Sequence, residues 1–229
     1  MKNNIDVILF DLFFTLVTPR YNDFKNENDI IGMSVEEWEE HSEDSELYLK
    51  RATGKEINPQ QIIENIVSKI GMQLSENEKL EMLNLREHRF KNSLTNIDNN
   101  ILKVILELKN SGKKLCLISN ADVIDVMHWE SSPLGQIFDK AIFSYKVGFL
   151  KPQREIYEIA LKKMNTTPDR CIFIGDGGFN ELKGAKRLGI KTIMTSYLLK
   201  RTEEELNLFK DDVDYFINDF YEILEIVNR

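Results

Sequence analysis

A chain of 229 residues, 42% of them hydrophobic, carries enough apolar side chain for a sizeable core, built as one domain or as one domain with an insertion. Its 38 acidic residues outnumber 30 basic ones, a net charge of −8, which is the wrong balance for a non-specific binder of nucleic acid or anionic membrane. Two cysteines exclude a disulfide framework and a zinc spacing, and no apolar run reaches the ~18 residues that span a bilayer.

At the N-terminus, Lys2 is followed by Asp6 and Asp11, which interrupt any signal-peptide apolar region, so a soluble, cytoplasmic protein is expected. The first apolar run, IDVILFD at 5–11, has strand character. Residues 21–96 contain no comparable run and are rich in Glu, Asn, Lys and Ser. Their patterning predicts helices over 34–51, 59–70 and 75–93, and Ser34 with Glu37 and Ser75 with Glu78 have the spacing of capping boxes. The run EEWEEHSEDSE reads as a solvated helix face. Next comes an amphipathic helix over 99–111, with Ile101, Val104, Ile105 and Leu108 on one face and Gly112 as its stop.

Four further strand-like runs follow: KKLCLIS (113–119), KAIFS (140–144), RCIFIGD (170–176) and KTIMTS (191–196). All are continuous rather than alternating, as expected of strands buried on both faces of a parallel sheet. Cys116 and Cys171 lie inside two of them and read as buried reduced thiols. Helical patterns over 154–164 and 181–188 separate the later strands, and a short strand at 214–217 with a helix over 219–228 closes the chain. The alternation implies right-handed β-α-β units: an α/β fold with a Rossmann-like open parallel sheet, helices on both faces, and an inserted α-helical region. The expected domains are a core of 1–18 plus 97–229 and a helical cap of 19–96.

In such a sheet ligands bind at the carboxyl ends of the strands. The residues there are Asp11, Ser119 with Asn120, and Asp176 after Gly175, with Lys151 following the third run in GFLKPQ. An Asp after a strand is by itself an ordinary turn or helix cap. Two carboxylates, a hydroxyl and an ammonium at equivalent positions point to a site for an anionic substrate. GDGGFN lacks the glycine spacings of nucleotide-binding loops.

These segments resemble the four motifs of the haloacid dehalogenase-like (HAD) hydrolase superfamily: FDLFFTLV, LCLISN, GFLKPQREIY and FIGDGGFNELKGAKRLGI, in matching order and spacing. The insertion after the first motif looks like the helical cap of the branch that includes dehalogenases and phosphoglycolate-phosphatase-like enzymes. The resemblance implies catalytic roles for Asp11, as nucleophile, and for Lys151 and Ser119. It implies substrate contacts from Thr15 and Asn120, although Asn120 can equally cap the next helix. It implies a magnesium ion on Asp11, the backbone carbonyl of Phe13, Asp176 and Glu181, the last through a water. Ordinary helix-end roles for Asp176 and Glu181 remain open alternatives. The implied substrate is a small anionic molecule, a phosphate ester, with no nucleic-acid or membrane partner.

One position departs from the pattern. The phosphatase branch has an Asp two residues after the nucleophile, to protonate the leaving oxygen; here Phe13 stands there, followed by Phe14. Such acid–base help is typically worth ~10²–10⁴-fold. Three readings follow: a magnesium-dependent phosphatase favouring good leaving groups, a carbon–halogen hydrolase, or a non-catalytic phosphate binder. Retained Asp176 and Glu181 favour a metal and so the first over the second. His41, His88 and His128 share no ligand spacing, although a cap histidine supplying the missing proton is a further option. Trp38 and Trp129 read as packing residues, and Arg20 as either a cleft residue or the start of the linker to the insertion.

Overall fold

The structure is a computed structural model and describes residues 5–21 and 25–228. Lys2 and the other residues of 1–4, together with 22–24 of the expected insertion, lie outside the described residues. Six parallel strands form one sheet: β1 (Val7–Phe10), β2 (Lys114–Ser119), β3 (Lys140–Phe143), β4 (Cys171–Gly175), β5 (Lys191–Thr195) and β6 (Tyr215–Ile217), in the order β3-β2-β1-β4-β5-β6. The continuous apolar runs have the predicted cause, because both faces of the sheet are covered.

Twelve α-helices are described: α1 (Val35–Ser42), α2 (Ser45–Ala52), α3 (Pro59–Ile70), α4 (Glu76–Thr95), α5 (Asn99–Asn110), α6 (Val123–Val126), α7 (Pro133–Ile137), α8 (Ser144–Val147), α9 (Arg154–Met164), α10 (Glu181–Arg187), α11 (Glu203–Asn207) and α12 (Glu222–Asn228). Alternate residues of β1 serve opposite layers. Ile8 and Phe10 pack with Ile101, Val104 and Ile105 of α5 and Ile223 of α12. Val7 and Leu9 pack with Ile156 and Ala160 of α9 and Leu182 of α10. Cys116 and Cys171 are buried free thiols in this second layer.

Helices α1 to α4 all fall between β1 and β2 and have their own apolar cluster, from Trp38, Ile63, Ile66, Met82 and Leu83, which also takes in Ile124 of α6. Both predicted capping boxes form, at Ser34 with Glu37 and at Ser75 with Glu78. The helix expected over 34–51 is in fact two. Asp44 accepts backbone hydrogen bonds from Glu46 (3.1 Å) and Leu47 (3.2 Å), so its side chain starts a new helix and breaks the old one. The last helix likewise starts later than expected, because Glu222 accepts from the backbone of Asn218 and Asp219 and closes a turn there. Helices α6, α7, α8 and α11 span at most five residues each, too short for a hydrophobic period to reveal.

Candidate active site

Strands β1 and β4 are neighbours, but the chain runs from them toward opposite edges of the sheet. This is the topological switch point, where an open α/β sheet leaves a crevice outside its carboxyl ends. Asp11 follows β1 and Asp176 follows β4, so both carboxylates stand at that crevice. Glu181, the first residue of α10, joins them: carboxylate oxygens of Asp11, Asp176 and Glu181 all lie within 4.8 Å of one another, and all three residues are buried.

Gly175 makes this approach possible. A Cβ there would stand 2.0 Å from Glu181 Oε1, so any larger residue would displace the carboxylate. Glu181 is further held by the Gly177 N–H, which donates to Oε1 at 3.2 Å, and by Tyr157, whose hydroxyl donates to the Glu181 carbonyl at 2.7 Å. Lys151 is the central counter-charge. Its ammonium pairs with Asp11 Oδ1 and, at 2.5 Å, with Glu181 Oε2. Asn120 fixes the loop that carries Lys151, accepting from the Lys151 N–H (2.7 Å) and donating to its carbonyl (3.1 Å).

The charges are unevenly matched. Burial, then the neighbouring Asp11, push the Glu181 carboxyl up to about 8 against the opposing pull of Lys151. Burial and Asp11 also raise Asp176. For Lys151, burial disfavours the ammonium, but Asp11 and Glu181 outweigh it and hold the pKa above the ordinary lysine value. Three buried carboxylates with excess negative charge and oxygen-only donors fit a hard divalent cation.

Not every expected residue reaches the cleft. Thr15, expected at the substrate, donates its hydroxyl to Asp11 Oδ2 at 2.8 Å from a fully buried position. Ser119, at the end of β2, is also fully buried, and its hydroxyl lies 3.4 Å from the Asn120 carbonyl. Asp11, Phe13, Asn120, Lys151, Asp176 and Glu181 do line a cleft of about 450 Å³. None of the three histidines lines it, and Arg20 borders a different groove. Trp38 and Trp129 are buried packing residues, as expected.

The opposite wall belongs to the insertion, and the sequence reading missed it. Tyr21, Tyr48, Arg86, Arg89 and Phe90 line the cleft, as do Glu39 and Glu43 from the run read as a solvated helix face. Arg86 reaches from α4 to the core, pairing with Asp122 (3.3 Å) and Asp125 (2.9 Å), and Arg51 of α2 joins Asp122 at 2.9 Å. Arg201 was also missed. From the loop after β5 it donates to the Asp176 carbonyl (3.1 Å) and carboxylate (3.3 Å). No local pattern marks Arg201; only the fold brings it to Asp176.

The family model for haloacid dehalogenase-like hydrolases matches residues 5–189, which include all of these site residues except Arg201. The chain belongs to that family. Among curated relatives, a glyceraldehyde 3-phosphate phosphatase from Pyrococcus furiosus is 32% identical over 130 residues, 56% of this chain and 52% of the relative. A protein of the same name from Methanothermobacter thermautotrophicus is 29% identical over 144 residues, 61% of this chain and 62% of the relative. The chain thus spans little more than half the length of these relatives. Among solved structures, a HAD family enzyme from Bacteroides thetaiotaomicron in complex with magnesium and inorganic phosphate matches with a TM-score of 0.66 at 20% identity, over 88% of this chain and 98% of that one. The L-2-haloacid dehalogenase of Xanthobacter autotrophicus, with chloropropionic acid covalently bound, matches with a TM-score of 0.67 at 16% identity, over 97% and 98%. At such identities these likenesses establish the fold of this hydrolase and nothing finer. No helix among its described residues is long and apolar enough to cross a membrane.

Proposed function

We propose that this hydrolase is a magnesium-dependent phosphatase of small phosphate esters, acting through an aspartyl-phosphate on Asp11. The observation that carries the reading is the buried cluster of Asp11, Asp176 and Glu181 around one lysine, which has the donor set for a hard cation beside a candidate nucleophile. Asp11, Asp176, the Phe13 carbonyl and, through water, Glu181 would hold magnesium, which when bound would offset negative charge on the phosphoryl group.

The chain's own residues supply the rest. Thr15 and Lys151 grip the two oxygens of the Asp11 carboxylate and orient it toward the cleft. Lys151 and the backbone after Asp11 would bind the phosphoryl oxygens as charge develops on them. Asn120 acts by positioning Lys151, and Ser119 stands buried beside it at the end of β2. Asp11 attacks phosphorus and the ester oxygen leaves; water then cleaves the aspartyl-phosphate and restores the carboxylate. Residues 19–96 would serve as the cap that covers the cleft and excludes water.

Magnesium should raise the melting temperature of the wild type, and Asp176→Asn should abolish that shift. A phosphate-ester screen, run beside 2-chloropropionate, should show magnesium-dependent turnover that Asp11→Asn removes. Turnover of 2-chloropropionate alone, or phosphate release that survives Asp11→Asn, overturns the reading.

A further inference from the structure

The cleft beside Asp11 is lined by six aromatic residues, Phe13, Phe14, Tyr21, Tyr48, Phe90 and Phe179. Phe13 and Phe90 meet edge to face at 5.6 Å, and Tyr48 of the insertion lies flat on Phe179 of the core, with centroids 5.5 Å apart and planes 4° apart. Two of these rings sit on costly backbone. Phe14 (φ 59°) and Phe179 (φ 51°) occupy the left-handed region, where a bulky side chain is strained. Neither ring is buried in a core: Phe14 is 39% and Phe179 63% exposed. What the two rings share is a place on the cleft wall.

Charge narrows the occupant further. The cations lining the cleft are Lys151, Arg86 and Arg89, and each is already paired: Lys151 with Asp11 and Glu181, Arg86 with Asp122 and Asp125, Arg89 with Glu27. Among the described residues, no unpaired cation is left on the wall for a second anionic group. The proton inventory points the same way. Phe13 cannot protonate a leaving oxygen, which favours an oxygen that departs as a stable anion. A phenol, with a pKa of about 10, leaves far more readily than an alkanol, whose hydroxyl is closer to water at ~15.7.

We propose that the substrate is an aryl phosphate, a phosphate monoester of a phenol-type alcohol, with its ring held among Phe13, Phe90, Tyr48 and Phe179. The proposal rests on the phosphatase reading above and specifies its leaving group. An Asp11 oxygen bonds to phosphorus as the phosphorus–aryl oxygen bond breaks. The electron pair stays on the aryloxide, which takes its proton from water. A second water then attacks the aspartyl phosphorus, releasing inorganic phosphate and the Asp11 carboxylate.

The test compares kcat/KM for phenyl phosphate, acetyl phosphate and glyceraldehyde 3-phosphate with magnesium, on the full chain. Acetyl phosphate has a good leaving group without a ring, and glyceraldehyde 3-phosphate has neither. Phenyl phosphate should exceed glyceraldehyde 3-phosphate by about 10²–10⁴-fold, and Phe13→Asp should narrow that gap by restoring a proton donor. Phenyl phosphate should also have a lower KM than acetyl phosphate. Tyr48→Ala and Phe179→Gly should each raise its KM by about three- to tenfold, the range expected for losing an aromatic contact. A preference for acetyl or glyceraldehyde 3-phosphate, or a phenyl phosphate KM unmoved in both variants, overturns the aryl proposal and leaves the phosphatase reading standing. If none of the three is hydrolysed in an Asp11-dependent way, both fall.

Discussion

Glu181 shows how one residue's environment sets its chemistry. On a solvated first turn of a helix it would be an ordinary carboxylate; here burial and Asp11 push its proton affinity up, from 4.5 to about 8. The consequence has a definite sign. Between those two pH values the metal-free folded protein retains a proton that the unfolded chain has released, so its stability should fall as pH rises across that window. A cation binding the cluster must displace that proton, so the stabilising shift from magnesium should grow with pH over the same window. Thermal melts with and without magnesium check both signs, and Glu181→Gln should flatten both dependences. A magnesium shift that shrinks with rising pH would contradict this assignment. Phe13 is the complementary case: its side chain carries no titratable proton, and that was evident as soon as the position was read.

At the scale of elements, the continuous apolar runs identified the core strands because the sheet is buried on both faces. Helical boundaries were harder where side chains compete with the backbone. The break between α1 and α2 depends on Asp44, whose carboxylate caps Glu46 and Leu47. Asp44→Ala should therefore destabilise the protein by about 0.5–2 kcal/mol, measured by urea unfolding, with little change in m-value. No change in the midpoint would mean that tertiary packing alone sets the break. The polar run around Asp44 reads as a solvated face because its acids are dense. Glu39 and Glu43 are indeed exposed, and they also stand on the wall of the cleft, while Trp38 of α1 packs into the insertion's own core.

Over the whole molecule, the insertion and the sheet are joined by buried ion pairs that no sequence window contains. Arg86 bonds Asp122 and Asp125 across 36 and 39 residues, and Arg51 reaches the same Asp122. Removing one partner of a buried pair leaves the others uncompensated. Arg86→Ala should cost about 3–5 kcal/mol in chemical denaturation. Lys25→Ala, which breaks the exposed pair with Glu81, should cost only ~0–1 kcal/mol. Equal losses would show that the Arg86 network does not join the two parts. Asp11, Lys151 and Asp176 were legible in the sequence because each comes after a strand in an architecture that sends strand ends to one crevice, whereas Glu181 was legible only through the resemblance to the family's fourth motif. The strand-end pattern came from the chain alone, and the missing acid at Phe13 from setting the chain against the family's first motif. Only the tertiary structure decided that Thr15 grips Asp11, that Asn120 anchors Lys151, that Arg201 reaches Asp176, and that the facing wall is aromatic. Strand and motif signals are local, whereas these contacts join residues on separate turns and elements, and packing alone determines which of them meet.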